Sequence, residues 1–119
     1  GVATYSYGSD AHGVHSVVGD RFASLVQREI CARTDLQNCG THSKTWDLLR
    51  LVQAPAVRID LGYLSSPSDA ERYLRTEFRD LIAESLVIAI QRLYLSAEDD
   101  AKTGTLRISD LKRAGLRIN

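Results

Sequence analysis

Phe78, Leu81, Ile82, Ser85, Leu86, Ala89, Ile90 and Leu93 recur at helical spacing and predict one long amphipathic helix, capped by Thr76 and running to about Leu95. A stripe that wide has to be covered by another apolar layer. Val18, Phe22, Leu25, Val26 and Ile30 supply part of it, in a helix that Ser16 can cap and that runs to about Arg33. The remaining apolar segments are too short for helices of this kind. "VATYSY" (Val2–Tyr7), "TWDLLRLV" (Thr45–Val52) and the run ending at Ile59 read as strands, with "GSDAHG" and "TDLQNCGTHSK" as loops. Ser68 and Glu71 form a capping box just after Pro67, which predicts a short helix to about Arg75.

The order is therefore strand, helix, strand, strand, helix, helix, then a polar tail over 96–119 with a candidate strand at Leu106–Ile108. This is an α/β layer in which three strands leave sheet edges that need partners. Gly1 opens directly on strand-like sequence without a methionine, so the expectation is half of a larger domain. No internal repeat is present.

Composition narrows the function classes. With 119 residues, 44% of them hydrophobic and 25% charged, the chain has the make-up of one globular body. Fifteen basic residues balance fifteen acidic ones, which removes the electrostatic footprint of a nucleic-acid binder. The apolar run Leu86–Ile90 is far too short to cross a bilayer, and no signal-peptide pattern opens the chain.

Three sets of residues invite chemistry. His12, His15, Cys39 and His42 are types that tetrahedral zinc accepts, but their spacing matches no finger or ribbon, and ordinary loop histidines are the simpler reading. Cys31 and Cys39 are compatible with a disulfide or with two reduced thiols. Ser65, Ser66 and Ser68 read as turn and cap formers rather than nucleophiles. Asp60 is different. It ends a β-branched run, a glycine lies two residues on, and Arg58 shares its face while Val57 and Ile59 point the other way. An acid at the carboxyl end of a strand is where α/β active sites place one, although a plain Arg-Asp pair on a half-solvated face fits as well.

Read together, these segments resemble the closing part of the zinc-dependent N-acetylmuramoyl-L-alanine amidases. Trp46, Leu48, Leu49 and Arg50 fit the aromatic-x-hydrophobic-Leu-Arg element of that family, Pro55, Ala56 and Val57 fit its Pro-Ala-Val element, and Leu61 to Ser65 fit Glu-Leu-Gly-Phe-hydrophobic-Ser after its first position. "GVATYSYG" resembles the strand that follows the family's Ser-hydrophobic-His-Ala-Asn motif. The resemblance implies the C-terminal half of a mixed sheet flanked by helices, over residues 1–95. It implies zinc in the complete domain, held by ligands that all lie upstream of Gly1, and none in this chain alone. It also implies hydrolysis of the amide between muramic acid and the L-alanine of the stem peptide.

Asp60 stands where the family has its general-base glutamate. Aspartate is shorter by one methylene, roughly 1.3 Å, and a general base has to reach its water. Arg58, where the family carries an apolar residue, would pair with the acid and weaken it as a proton acceptor. These departures lead to the expectation of a weakly catalytic or non-catalytic regulator of peptidoglycan synthesis, the alternative being an active zinc amidase once the N-terminal half is supplied.

A narrower resemblance, carried by "RTDLQNCGTHSKTWDLLR" and Thr103-Gly104-Thr105, is to actinobacterial and mycobacterial amidase-like proteins of the CwlM type. It implies control of a peptidoglycan-precursor enzyme, an enolpyruvyl transferase, under a Ser/Thr kinase, with Thr103 and Thr105 as candidate phosphoacceptors or, more plainly, turn residues. A regulator of that kind would be cytoplasmic; an active amidase would work in the cell envelope.

Overall fold

The structure is a computed structural model that describes residues 1–9 and 14–94. The expected tail, with Thr103, Thr105 and the Leu106–Ile108 strand, lies outside the described residues, as does His12. Strand β1 (Val2–Ser9) is followed by the short β2 (Val14–His15), helix α1 (Val17–Arg33), strand β3 (Asn38–Lys44), the single turn α2 (Asp47–Arg50), strand β4 (Arg58–Asp60), and helices α3 (Pro67–Tyr73) and α4 (Thr76–Tyr94).

β1 organises a mixed sheet. It pairs in parallel with β3 and antiparallel with both β2 and β4. The face carrying Val2, Thr4 and Ser6 is buried under α1, which α4 then covers. Leu25, Val26 and Ile30 of α1 join Val2, Phe78, Ile82 and Ala89 in one apolar core. Gln27 stitches the layers together: its Nε2 donates to the Val2 carbonyl (2.8 Å) and to Asn38 Oδ1 (2.7 Å), while its Oε1 accepts from Thr4 Oγ1 (2.9 Å).

Several expectations hold. Ser16 caps α1 through the Gly19 N–H at 3.0 Å, and the helix ends at Arg33. Others are corrected. Residues Thr45–Val52 do not form a strand; β3 lies just before them, inside the expected loop, and "DLLR" makes one helical turn. Of their apolar side chains Leu49 is buried, whereas Leu48, Leu51 and Val52 are exposed. The cap of α3 is Ser66 rather than Ser68, because Pro67 takes the first helical position, where its missing N–H costs nothing. Thr76 is the first residue of α4, and its hydroxyl accepts from Arg79. The buried face of α4 is also rotated. Ile88 and Arg92 point inward, whereas Ile90 is 43% exposed.

That rotation has an electrostatic reason. Arg92 Nε meets Glu29 Oε1 at 2.7 Å, Glu29 also pairs with Arg33, and Arg33 Nε lies 3.6 Å from Glu84. Charges taken out of water need such partners, so the helix turns its arginine toward the acid.

Candidate functional site

Asp60 ends β4, and β4 hangs on the first half of β1. The register sets Ala3 opposite Asp60, Thr4 opposite Ile59 and Tyr5 opposite Arg58. Side chains alternate across a strand, so Ile59 turns toward the core with Val2 and Thr4, while Arg58 and Asp60 share the other face with Ala3 and Tyr5. Antiparallel pairing also brings the chain leaving Asp60 alongside the chain entering β1.

The acid is engaged. Arg58 Nε donates to Asp60 Oδ1 at 3.0 Å, and the Asp60 side chain is 23% exposed. The guanidinium of Arg58 in turn lies 4.9 Å from the centroid of Trp46, a cation–π contact. Trp46 packs on Tyr5 with centroids 5.1 Å apart, and Tyr5 packs on His42 at 5.4 Å. Because Tyr5 is opposite His42 in one register and opposite Arg58 in the other, His42, Tyr5 and Arg58 form one row across three strands. His42 Nε2 sits 2.7 Å from the Cys39 carbonyl. A carbonyl only accepts, so that nitrogen carries the proton.

A second carboxylate shapes the turn after Asp60. Gly62 has φ +114°, and a Cβ there would lie 2.7 Å from Asp69 Oδ2, so only glycine fits. Asp69, in the first turn of α3, is 4% exposed. Its Oδ2 accepts from the Tyr63 N–H at 3.1 Å and lies 3.4 Å from the Gly1 nitrogen; Oδ1 accepts from Arg72 at 3.0 Å. Arg72 reaches onward to Asp35 through two bonds of 2.9 and 3.2 Å. The Tyr63 N–H is the largest cause holding the Asp69 carboxyl below the usual carboxylate range; desolvation opposes it, and the Gly1 nitrogen and Arg72 assist. Tyr73 donates its hydroxyl to the Leu61 carbonyl and packs edge-on against Phe78.

Of the candidate zinc set, the described side chains are those of Cys39 and His42. Among the described residues no group of three His, Cys, Asp or Glu side chains could hold a metal. Cys39 and His42 meet through a main-chain carbonyl rather than a shared ligand position, so the residues present do not fit a metal site by themselves. Cys31 and Cys39 are both free thiols. Cys31 packs against the core, where burial, and then the neighbouring Cys39, push its thiol up; Cys39 is exposed.

Sequence reasoning reaches Asp60 and Arg58 but misses the row that holds Arg58 and the carboxylate behind Gly62. The row depends on a parallel pairing that periodicity does not reveal. Asp69 has a visible signal in Pro67, which fixes the helix start and makes Asp69 its third residue.

Residues 1–92 match the profile of the N-acetylmuramoyl-L-alanine amidase family. The chain is 43% identical over 111 residues to N-acetylmuramoyl-L-alanine amidase CwlM of Mycobacterium tuberculosis, covering 93% of this chain and 27% of that protein. It is 27% identical over 97 residues to the probable cell wall amidase LytH of Staphylococcus aureus, covering 82% of this chain and 30% of that one. The chain thus spans less than a third of the length of either curated relative. Among solved structures, an N-acetylmuramoyl-L-alanine amidase from Clostridium difficile 630 superposes with a TM-score of 0.67 at 22% identity, over 77% of this chain and 47% of that one. AmiC2 of Nostoc punctiforme gives 0.65 at 24% identity with the same coverage. Both likenesses are of fold.

Proposed function

The chain belongs to the N-acetylmuramoyl-L-alanine amidase family, and from that premise we propose that this amidase-like piece serves peptidoglycan metabolism as a binding and regulatory module rather than as an efficient hydrolase. The observation that carries this is the contact of 3.0 Å from Arg58 Nε to Asp60 Oδ1, with Arg58 itself seated on Trp46. The one acid in the general-base position already has one oxygen taken by a cation with a fixed seat. A general base has to present a free lone pair to the proton it removes. Aspartate, shorter than the family's glutamate, is also badly placed to reach past its own partner. The ligand class is a peptidoglycan fragment, and a cytoplasmic role in precursor supply fits this reading. No helix among the described residues is long and apolar enough to cross a membrane.

A second reading, an active amidase, is favoured by the register that sets Ala3 opposite Asp60. That register runs Asp60 beside the start of β1, and in the family the histidine-bearing motif stands just before this strand. Zinc in the complete domain would then be held by residues outside this chain and would supply Lewis-acid hydrolysis.

The full-length protein, supplied with zinc and muropeptides, decides between the two readings by release of stem peptide. The regulatory reading expects binding with little or no release, and release only after Asp60→Glu. Robust turnover by the native protein that collapses in Asp60→Ala overturns it.

A further inference from the structure

We propose that Asp69 is the positioning residue of this site, fixing Asp60 against the chain that enters β1. The inference rests on the functional reading above and adds a residue to it.

β1 and β4 pair antiparallel with Ala3 opposite Asp60, so Gly1 and Gly62 come next to each other where the ladder ends. On the β4 side the chain has left the ladder by Tyr63, whose N–H needs another acceptor. Asp69 Oδ2 accepts from the Tyr63 N–H at 3.1 Å, and the Gly1 nitrogen, here a terminal ammonium, lies 3.4 Å from the same oxygen. The carboxylate enters this gap only because Gly62 has no Cβ.

An acid at this helix position ordinarily caps its own helix by reaching back to the cap residue's N–H. Here Ser66 does its part, accepting from the Asp69 N–H at 3.4 Å, but the carboxylate is diverted to Tyr63, three residues earlier than Ser66. Arg72 holds the other oxygen, and Asp35 holds Arg72 from the loop before β3. The clamp therefore starts in one loop, crosses α3 and ends on the turn immediately after Asp60. Asp69 acts on Arg58 and Asp60 through the turn 61–63 rather than by direct contact.

The test uses the full-length protein labelled with 15N at tyrosine and arginine. The Tyr63 amide and the Arg58 Nε–H resonances are assigned by Tyr63→Phe and Arg58→Lys. In the near-isosteric Asp69→Asn variant, both resonances are expected to shift while the protein stays folded, and Asp69→Glu is expected to restore neither fully. Muropeptide affinity, measured by calorimetry, is expected to fall about tenfold in Asp69→Asn. A Tyr63 shift with an unmoved Arg58 resonance overturns the proposal, since Asp69 would then shape the turn without positioning the site. Unchanged muropeptide affinity in Asp69→Asn overturns it as well. Failure of the native protein to bind muropeptide at all instead sinks the functional reading, and the two resonances still decide the role of Asp69. Should Asp69→Asn fail to fold, Arg72→Gln loosens the same carboxylate from its other side; shifts in both resonances then support the proposal, and an unmoved Arg58 resonance overturns it.

Discussion

Glu29 of α1 and Arg92 of α4 meet at 2.7 Å with side chains only 2% and 3% exposed. Removing one partner of such a pair strands the other charge in the core, at a cost of about 3–5 kcal/mol. Glu29→Ala should therefore lose about that much in urea unfolding, whereas Arg92→Leu alone should lose less, because Glu29 keeps Arg33. The double variant should cost clearly less than the sum of the two.

Freeing Asp60 should matter only when its reach is restored too. Arg58→Val removes the cation from the carboxylate, and Asp60→Glu adds the missing methylene. In the zinc-supplied full-length protein, the double variant should release stem peptide at least about tenfold faster than either single change, a part of the full general-base contribution of about 10²–10⁴. Chromatography of the released peptide measures it.

Gly62 and Gly40 both have positive φ, +114° and +82°, yet they should not tolerate alanine equally. At Gly40 the nearest atom to an added Cβ is His42 Nε2 at 3.8 Å, so only the backbone cost of an L residue at positive φ, about 1–2 kcal/mol, applies. At Gly62 the new methyl collides with Asp69 as well. Gly62→Ala should show the larger drop in thermal midpoint.

Asp69 predicts an acid-sensitive step. Its carboxyl is held below the ordinary value in the folded chain, chiefly by the Tyr63 N–H. A depressed folded value means stability that is present above the unfolded value, about 3.9, and is lost as pH falls through the folded one. Below about pH 4 the wild type should lose stability more steeply than Asp69→Asn, by chemical unfolding at a series of pH values.

The two thiols should differ in reactivity. Cys39 is exposed, whereas burial pushes the Cys31 thiol up and reduces its thiolate. Iodoacetamide at neutral pH should label Cys39 at least roughly tenfold faster, by mass spectrometry of the intact protein.

The helices are readable in the sequence because their apolar faces and caps are local. Ser16 and the run from Val18 to Ile30 need no knowledge of the partner layer. The face of α4 is misread at Ile90 because an arginine, Arg92, belongs inside, and only Glu29 on another helix explains why. Asp60 is legible as an acid at a strand end with a glycine close behind. Its partners are not. Arg58's seat on Trp46 depends on the parallel pairing of β3 with β1, and Asp69's grip on Tyr63 depends on how α3 folds back.

β3 carries one further consequence. Among the described residues it pairs only with β1, and most of its positions are solvated. Its polar composition hides it from a periodicity reading. The same composition, with a register irregularity near Gly40 and a lysine at its end, makes a poor template for a foreign strand. The strand that is hardest to recognise in the sequence thus carries, along the margin that faces away from β1 among the described residues, the features that discourage a foreign strand.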